Sequence, residues 1–469
     1  MRGQSITGKG QRVRLFLTLV IVLTAGGLDS QQRIVGYYPH WLRDRLPPDD
    51  LQGAFLSHVV LAFAWPEGDG SIQMFDGLLD TTLSNTIHAR GMQLLLALGG
   101  WGLSDGFSSL AASTITRQTF ITNLLALCTM YDLDGVDLDW EHPANATDRA
   151  NLSLLVQEMY AAFQQVDPPL LLTMAVTGSD WFGQWVEYET LQNYIDWFSL
   201  MGYDFHGSWT NHAGHNAPLY PSPPGDAEGA CDTGINYLMN TRGIPPDKLN
   251  FGVPFYGREF TAAEINGSST GGDTYHYFDA ITDSLANGWE YHWDDLAQVP
   301  YLQNIGHTKL ITFDDTTSLR IKAHYALNRQ LGGLMIWALG QDGIGNDQPL
   351  LTDLAGSYLK VDRRTEYEAA PLFSVLYPAY PNPFNTVTKI TYLLPAESKV
   401  ELSVFTLQGE RVVTLVDEVE KAGLHQITWE GRDRDGQALP SGVYFYRVVG
   451  LTSAELTSYS LARKLLLLK

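Results

Sequence analysis

Asp137, Asp139 and Glu141 occupy every second position of one short run, DLDGVDLDWE, residues 132–141. A strand turns successive side chains to opposite faces. The three carboxyls therefore share one face, and Val136, Leu138 and Trp140 share the other. Burying uncompensated charge costs on the order of several kcal/mol per group, so a purely structural strand would not carry this pattern. Two chemistries explain it. A carboxylate cluster can hold a divalent cation. It can also force one member to keep its proton, because like charges and desolvation raise a carboxyl pKa; that makes a general acid near neutral pH. The run itself contains no histidine, which favours the acid. Glu141 comes last and has the longest arm, with Asp139 one same-face step below it. Asp134 is expected to support the network from the start of the strand.

A strand with an acidic inner face needs a scaffold that points it inward. Eight short apolar runs recur along the chain, at 33–38, 58–65, 92–100, 133–141, 170–176, 197–204, 249–257 and 332–339. Helical periodicity separates several of them. Leu152, Leu155, Val156, Met159 and Phe163 follow an i, i+3, i+4, i+7 stripe. A second helix over 318–333 is expected to stop at paired glycines. Alternating strands and helices predict an α/β fold, a (β/α)8 TIM barrel over residues 31–360, with its active site at the C-terminal ends of the strands. The long interval between strands seven and eight predicts a short α+β insertion at about 258–310. After a polar linker at 361–371, alternating segments predict a small all-β sandwich over 372–469. Its strands carry Ile390, Tyr392 and Leu394, then Val400, Leu402 and Val404, then Val443, Phe445 and Arg447. The terminal SLARKLLLLK reads as an ordinary last strand.

Composition narrows the ligand. The chain of 469 residues has 30 Lys+Arg against 52 Asp+Glu, a net charge of -22. Such a field repels nucleic-acid backbones, so no nucleic-acid partner is expected. Aromatic content is 12%, with 12 Trp and 23 Tyr; this suits a groove that stacks against flat apolar faces such as sugar rings. Residues 1–30 have the basic start, apolar core and small-residue end of a secretory signal, so an exported chain beginning near Gln31 is expected. Cys128 lies in an apolar helical stretch and reads as a buried thiol rather than one half of a bridge with Cys231. The chain has no Cys/His spacing of metal-ligand type, and neither a metal nor a cofactor is expected.

The motif DGVDLDWE resembles the DGxDxDxE signature of family 18 glycoside hydrolases, the chitinases and their relatives. MGYD, Met201–Asp204, is similar to the MxYD motif of strand six. GVPFYGR resembles strand seven, GGLMIWAL strand eight with its pocket-floor Trp337, and VGYY strand one with Tyr37. The resemblance covers about residues 33–355. It implies hydrolysis of β-1,4-linked N-acetylglucosamine polymers by substrate-assisted catalysis, with Glu141, Asp139, Asp137 and Tyr203 catalytic. Glu141 is the implied proton donor, Asp139 the partner of the acetamide N–H, and Tyr203 the donor to the acetamide oxygen. Asp204, Trp337, Tyr37, Met201 and Arg258 are implied substrate or network contacts; for Arg258 a surface ion pair is an equal alternative. Trp101, Trp181, Trp209 and Trp293 are loop aromatics that could stack sugars in flanking subsites, with packing an equal alternative for each. Many relatives carry SxGG on strand three, where this chain has ALGG; Ala97 cannot donate a hydrogen bond, so Tyr37 or water is expected to serve the inner carboxyl. Two other functions share the barrel: an endo-β-N-acetylglucosaminidase acting on glycans, and a non-catalytic chitin-binding lectin. The intact Glu141 favours an enzyme.

The C-terminal segment, with YPNPF, GVYFYR and a basic-apolar ending, resembles the sorting domain of the bacterial type IX secretion system. That likeness implies the secretion machinery as a partner and a chain released from or attached to the cell surface; a monomer is expected. A carbohydrate-binding module is the rival reading, weakened because Trp429 is the module's single tryptophan.

Overall fold

A computed structural model describes residues 32–223, 225–359, 375–376, 379, 381–394, 397–421, 423–452 and 458–468. The leader at 1–30 and the linker at 361–371 lie outside them. The chain divides into two compact units between Lys360 and Val361.

In the first unit, eight parallel strands close into a barrel. They are Arg33–Pro39, His58–Pro66, Gln93–Gly99, Gly135–Asp139, Leu171–Val176, Phe198–Leu200, Leu249–Pro254 and Gly333–Trp337, referred to below as strands one to eight. Each pairs with the next, and strand eight returns to strand one through Arg33↔Gly333 to Gly36↔Ile336. Strand six is only three residues long, so Met201–Asp204 lies beyond its end. Val136, Leu138 and Trp140 on strand four and just past it are buried, and Trp140 stacks on Phe107 with ring centroids 5.1 Å apart. That is the helix-facing side the alternation predicts.

The helix predicted from the Leu152–Phe163 stripe spans Ala146–Phe163 and is capped by Asn145, whose side chain accepts the N–H groups of Thr147 and Asp148. All five stripe residues are fully buried, each contributing roughly 1.5–3 kcal/mol of burial. The helix predicted at 318–333 spans Thr316–Asn328 instead. Its paired glycines do not stop it. A Cβ on Gly332 would sit 1.9 Å from the Asp247 carbonyl oxygen, and one on Gly333 would sit 2.4 Å from Asn250 Oδ1. Close approach to strand seven and to the turn that precedes it is what demands glycine there.

The insertion is a five-stranded antiparallel sheet of Tyr256–Thr261, Thr270–Tyr277, Glu290–Asp294, Val299–Gln303 and Lys309–Thr312, with one helix, Phe278–Ala286. It begins immediately after strand seven. The sheet packs Phe260, Ala262 and Leu310 against Ala213 in one cluster, and Ile281, Leu302, Ile311 and Phe313 form another.

The second unit contains a three-stranded sheet (Val375–Leu376, Thr388–Leu394, Gly423–Trp429) and a four-stranded one (Ser398–Thr406, Arg411–Glu420, Gly442–Thr452, Ser458–Leu467). Ile390, Tyr392, Leu394, Val400, Leu402 and Val404 fill its core as expected. On strand Gly442–Thr452 the expected face is reversed: Tyr444, Tyr446 and Val448 are buried, while Val443 is exposed. Two aromatic residues and a valine outweigh the Val443–Phe445–Arg447 row, whose arginine has no place in an apolar core. The terminal strand buries Leu465 and Leu467. Among the described residues no helix is long and apolar enough to cross a membrane.

Candidate active site

Strand four delivers the carboxylate column. Asp137 and Asp139 are buried inside the barrel, and Glu141 follows the strand's end with its side chain 13% exposed. Two hydroxyls hold Asp137: Tyr37 of strand one donates to Oδ2, and Thr173 of strand five, directly opposite in register, donates to Oδ1. Ala97 pairs with Asp137 on the other side and contributes nothing polar. The hydroxyl missing at Ala97 is thus supplied by the neighbouring strand, and by Tyr37 as the sequence suggested. Thr173 was missed, although a lone hydroxyl within LLLTMAV was its signal.

The glycines of ALGG are required by close approach. Gly99 and Gly100 have φ of 107° and 90°; a Cβ on Gly99 would meet the Asp139 carbonyl oxygen at 2.3 Å, and one on Gly100 would meet the Phe63 ring at 2.8 Å. Neither the left-handed backbone nor the space admits a side chain. The Gly100 N–H bonds the Asp139 carbonyl at 2.8 Å. Ser104 completes the turn, accepting the Glu141 N–H at 3.0 Å. Ser104 also escaped sequence reading.

Asp139 Oδ1 is buried with no hydrogen-bond partner among the described residues. Burial raises the Asp139 pKa well above the ordinary carboxylate range, and the charges of Glu141 and Asp137 add to it. Burial, then the charge of Asp204, pushes Glu141 up to about 7. Burial also raises Asp137, against the lowering effect of its two hydroxyl donors. Glu141 can therefore hold and release a proton near neutral pH, as a general acid requires. His142, which sequence reading passed over, places Nε2 3.4 Å from Glu141 Oε2 and stacks on Phe182. Burial lowers its pKa to about 4, so at neutral pH it meets Glu141 as a neutral ring, not as an ion-pair partner.

Past strand six, Tyr203 and Met201 pack against the barrel-interior cluster that includes Tyr37, Phe63 and Met335. The Tyr203 hydroxyl lies 3.8 Å from Met335 Sδ. Trp337 ends strand eight half-buried, stacked with Phe63 at 5.6 Å and meeting Tyr37 edge-on at 5.6 Å. Asp204 has φ of 60°. Its N–H bonds Asn216 Oδ1 at 3.1 Å, while Oδ1 accepts Tyr256 Oη at 2.5 Å and Arg258 Nε at 2.7 Å. Asn216 and Tyr256 are further residues the sequence did not reveal.

Several expectations change here. Asp134 does not join the column; it bonds the Leu94 N–H at 2.6 Å and His88 Nε2 at 2.9 Å before strand four begins. Its even-numbered position puts it on the opposite face from Asp137. Arg258 is neither a surface ion pair nor free for substrate. It is 1% exposed, and its donors go to Asp204, the Gly272 carbonyl and Tyr275 Oη. Trp101 and Trp209 are exposed on loops, Trp181 is exposed on the short helix Asp180–Gly183, and Trp293 lies within an insertion strand, opposite Pro300. Cys128 and Cys231 are both buried and unbridged, and burial pushes both thiols to about 12.

A closed parallel barrel with a column of buried carboxyls at its mouth, an aromatic floor and a buried unpaired acceptor has the form of a glycoside-cleaving site. The sequence profile of glycosyl hydrolases family 18 matches residues 33–342, and the chain belongs to that family. Residues 385–454 match the FlgD Ig-like domain. Chitinase A1 of Niallia circulans is 30% identical over 403 residues, covering 68% of this chain; the chain spans only 58% of that protein. Two solved structures share the fold. The Ostrinia furnacalis Group IV chitinase in complex with allosamidin is 28% identical with a TM-score of 0.63, covering 70% of this chain and 99% of that one. The Cycas revoluta GH18 chitinase in complex with (GlcNAc)3 is 26% identical with a TM-score of 0.64, again covering 70% and 99%.

Proposed function

We propose that this chain is a secreted chitinase that hydrolyses β-1,4-linked N-acetylglucosamine polymers with retention of configuration. The observation that carries the reading is the buried, unpaired Asp139 Oδ1 directly below a Glu141 carboxyl held protonated near neutral pH. An acceptor without a donor is costly in a protein interior, and an acetamide N–H supplies the missing partner. The chitinases whose complexes with (GlcNAc)3 and allosamidin share this fold support the substrate class.

In the proposed reaction Glu141 gives its proton to the glycosidic oxygen as the bond to the anomeric carbon breaks. The carbonyl oxygen of the substrate's own 2-acetamido group attacks that carbon, forming an oxazolinium ion. No enzyme carboxylate needs to act as nucleophile, the known exception among retaining glycosidases. Asp139 accepts the acetamide N–H and stabilises the developing positive charge. Tyr203 donates to the acetamide oxygen and orients it. Trp337, framed by Tyr37 and Phe63, offers an apolar face to the distorted sugar. Glu141, now a carboxylate, takes a proton from water as that water opens the ion at the anomeric carbon.

Incubation with an N-acetylglucosamine hexamer and, separately, a high-mannose glycopeptide tests substrate choice. Cleavage of the hexamer and not the glycopeptide is expected; the reverse preference would make the chain an endo-β-N-acetylglucosaminidase, and tight hexamer binding without cleavage would make it a lectin. Export through the leader, and sorting of the C-terminal module by a type IX system, belong to the same proposal. They rest on the sequence features of residues 1–30 and 372–469. Retention in the periplasm of a type IX host when 372–469 is deleted is the expected result.

A further inference from the structure

The loop that follows strand six carries a cluster that the proposed glycoside chemistry does not use. His206, His212 and Asp226 converge. His206 Nε2 lies 3.0 Å from His212 Nε2 and 3.1 Å from Asp226 Oδ2, and His212 Nε2 lies 3.6 Å from the same oxygen. His206 and the Asp226 side chain are nearly inaccessible, whereas the His212 side chain is 23% exposed.

Each group is held by a partner behind it. His206 Nδ1 lies 3.0 Å from the His215 carbonyl oxygen, which can only accept, so that nitrogen carries the proton. His212 Nδ1 faces Asn211 Oδ1 at 3.1 Å. Asp226 Oδ1 accepts the Glu228 N–H at 3.2 Å. This leaves two imidazole lone pairs and a carboxylate oxygen aimed at one another. A cation resolves that arrangement, and outer partners of this kind orient histidine and carboxylate ligands in metal sites.

We propose that His206 Nε2, His212 Nε2 and Asp226 Oδ2 bind one divalent transition-metal ion of the zinc class. Bonds of about 2.0–2.1 Å in a tetrahedron put ligand atoms about 3.3 Å apart, and the three separations bracket that spacing. Two imidazoles and one carboxylate favour zinc and its neighbours over calcium or magnesium, which prefer oxygen. Three protein ligands leave one position for water, and the exposed edge of His212 gives the ion a way in. The ion staples a loop with work to do. The same segment carries Asn216, which holds the Asp204 backbone, and Trp209, whose ring lies over the Arg258 guanidinium at 4.8 Å. His215 and Asp294, 2.9 Å apart, already tie this loop to the inserted sheet.

The test uses the full chain without a histidine tag, stripped with EDTA and titrated with zinc chloride by calorimetry. Binding of one zinc per chain is expected, with a zinc-dependent rise in Tm and slower amide exchange over residues 205–216. His212→Ala, at the most accessible ligand, is expected to weaken zinc binding more than about 100-fold, beyond the usual loss from an outer-shell change. Asp226→Asn is expected to abolish the Tm rise, and magnesium or calcium is expected to produce none in the parent chain. Absence of zinc uptake by the parent, or equal uptake by both variants, would overturn the proposal and leave a shared proton as what satisfies the cluster.

Discussion

At the scale of single residues, Glu141 and Asp139 divide the work by environment. Burial lifts both, yet Glu141 sits at the mouth and titrates near 7, where it can both give and regain a proton. Under the proposed mechanism Glu141→Gln lowers kcat by roughly 10²–10⁴-fold, the usual worth of a positioned acid, while calorimetry shows oligosaccharide binding nearly intact. Turnover at the parent rate would remove Glu141 as the donor. The same variant has a stability signature. An unfolded glutamate titrates at about 4.3, so the folded parent binds this proton more tightly than the unfolded chain. Stability therefore falls as pH rises from about 4.3 to about 7 and then levels. Glu141→Gln removes that loss, so its Tm should gain on the parent across this window and match it below. The carboxyl column was legible because charge at alternate positions of an apolar strand has few structural explanations. Thr173, Ser104, Asn216 and Tyr256 were not. A hydroxyl, amide or phenol acquires its role only from what the fold brings opposite it, and their spacing in the chain carries none of that.

Among the elements, strand five completes what strand three lacks. Ala97 and Thr173 flank Asp137 from its two neighbouring strands, so one hydroxyl on either side can hold the buried carboxyl. Thr173→Val should cost about 1–3 kcal/mol of stability by leaving a buried acceptor short of a donor, and should lower kcat at least about fivefold, equivalent to ~1 kcal/mol. Thr173→Ser should restore both. Denaturation midpoints and steady-state kinetics read the pair, and an unchanged kcat in Thr173→Val would leave Tyr37 as sufficient support. Sequence periodicity located all eight barrel strands but overran the ends of six and stopped one residue short on strands one and two. Strand six was expected over 197–204 and spans Phe198–Leu200, because Met201–Asp204 leaves the ladder to reach the mouth, with Asp204 in a left-handed conformation. Pattern reading also reversed the face of Gly442–Thr452, where large residues stand on both sides of the strand. The His206–His212 pair is not legible in the sequence, because its third member, Asp226, stands fourteen residues beyond His212 and reaches it only through the loop's fold.

At the scale of the whole molecule, the barrel unit contains the complete carboxyl column, its floor and the inserted sheet, while residues beyond 360 build a separate β-core. Removing 361–469 should leave kcat and KM on soluble N-acetylglucosamine oligomers unchanged; a large loss would assign the sandwich a part in catalysis or folding. The net charge of -22 accords with a neutral polymer as substrate and disfavours polyanions. Under the proposed mechanism the substrate's acetamide, and no enzyme side chain, attacks the anomeric carbon above Asp139. Proton NMR of N-acetylglucosamine hexamer during its first turnovers reads this most directly. The β-anomer is expected as the first product, with the α-anomer growing only as mutarotation proceeds. An α-anomer at the outset would contradict it.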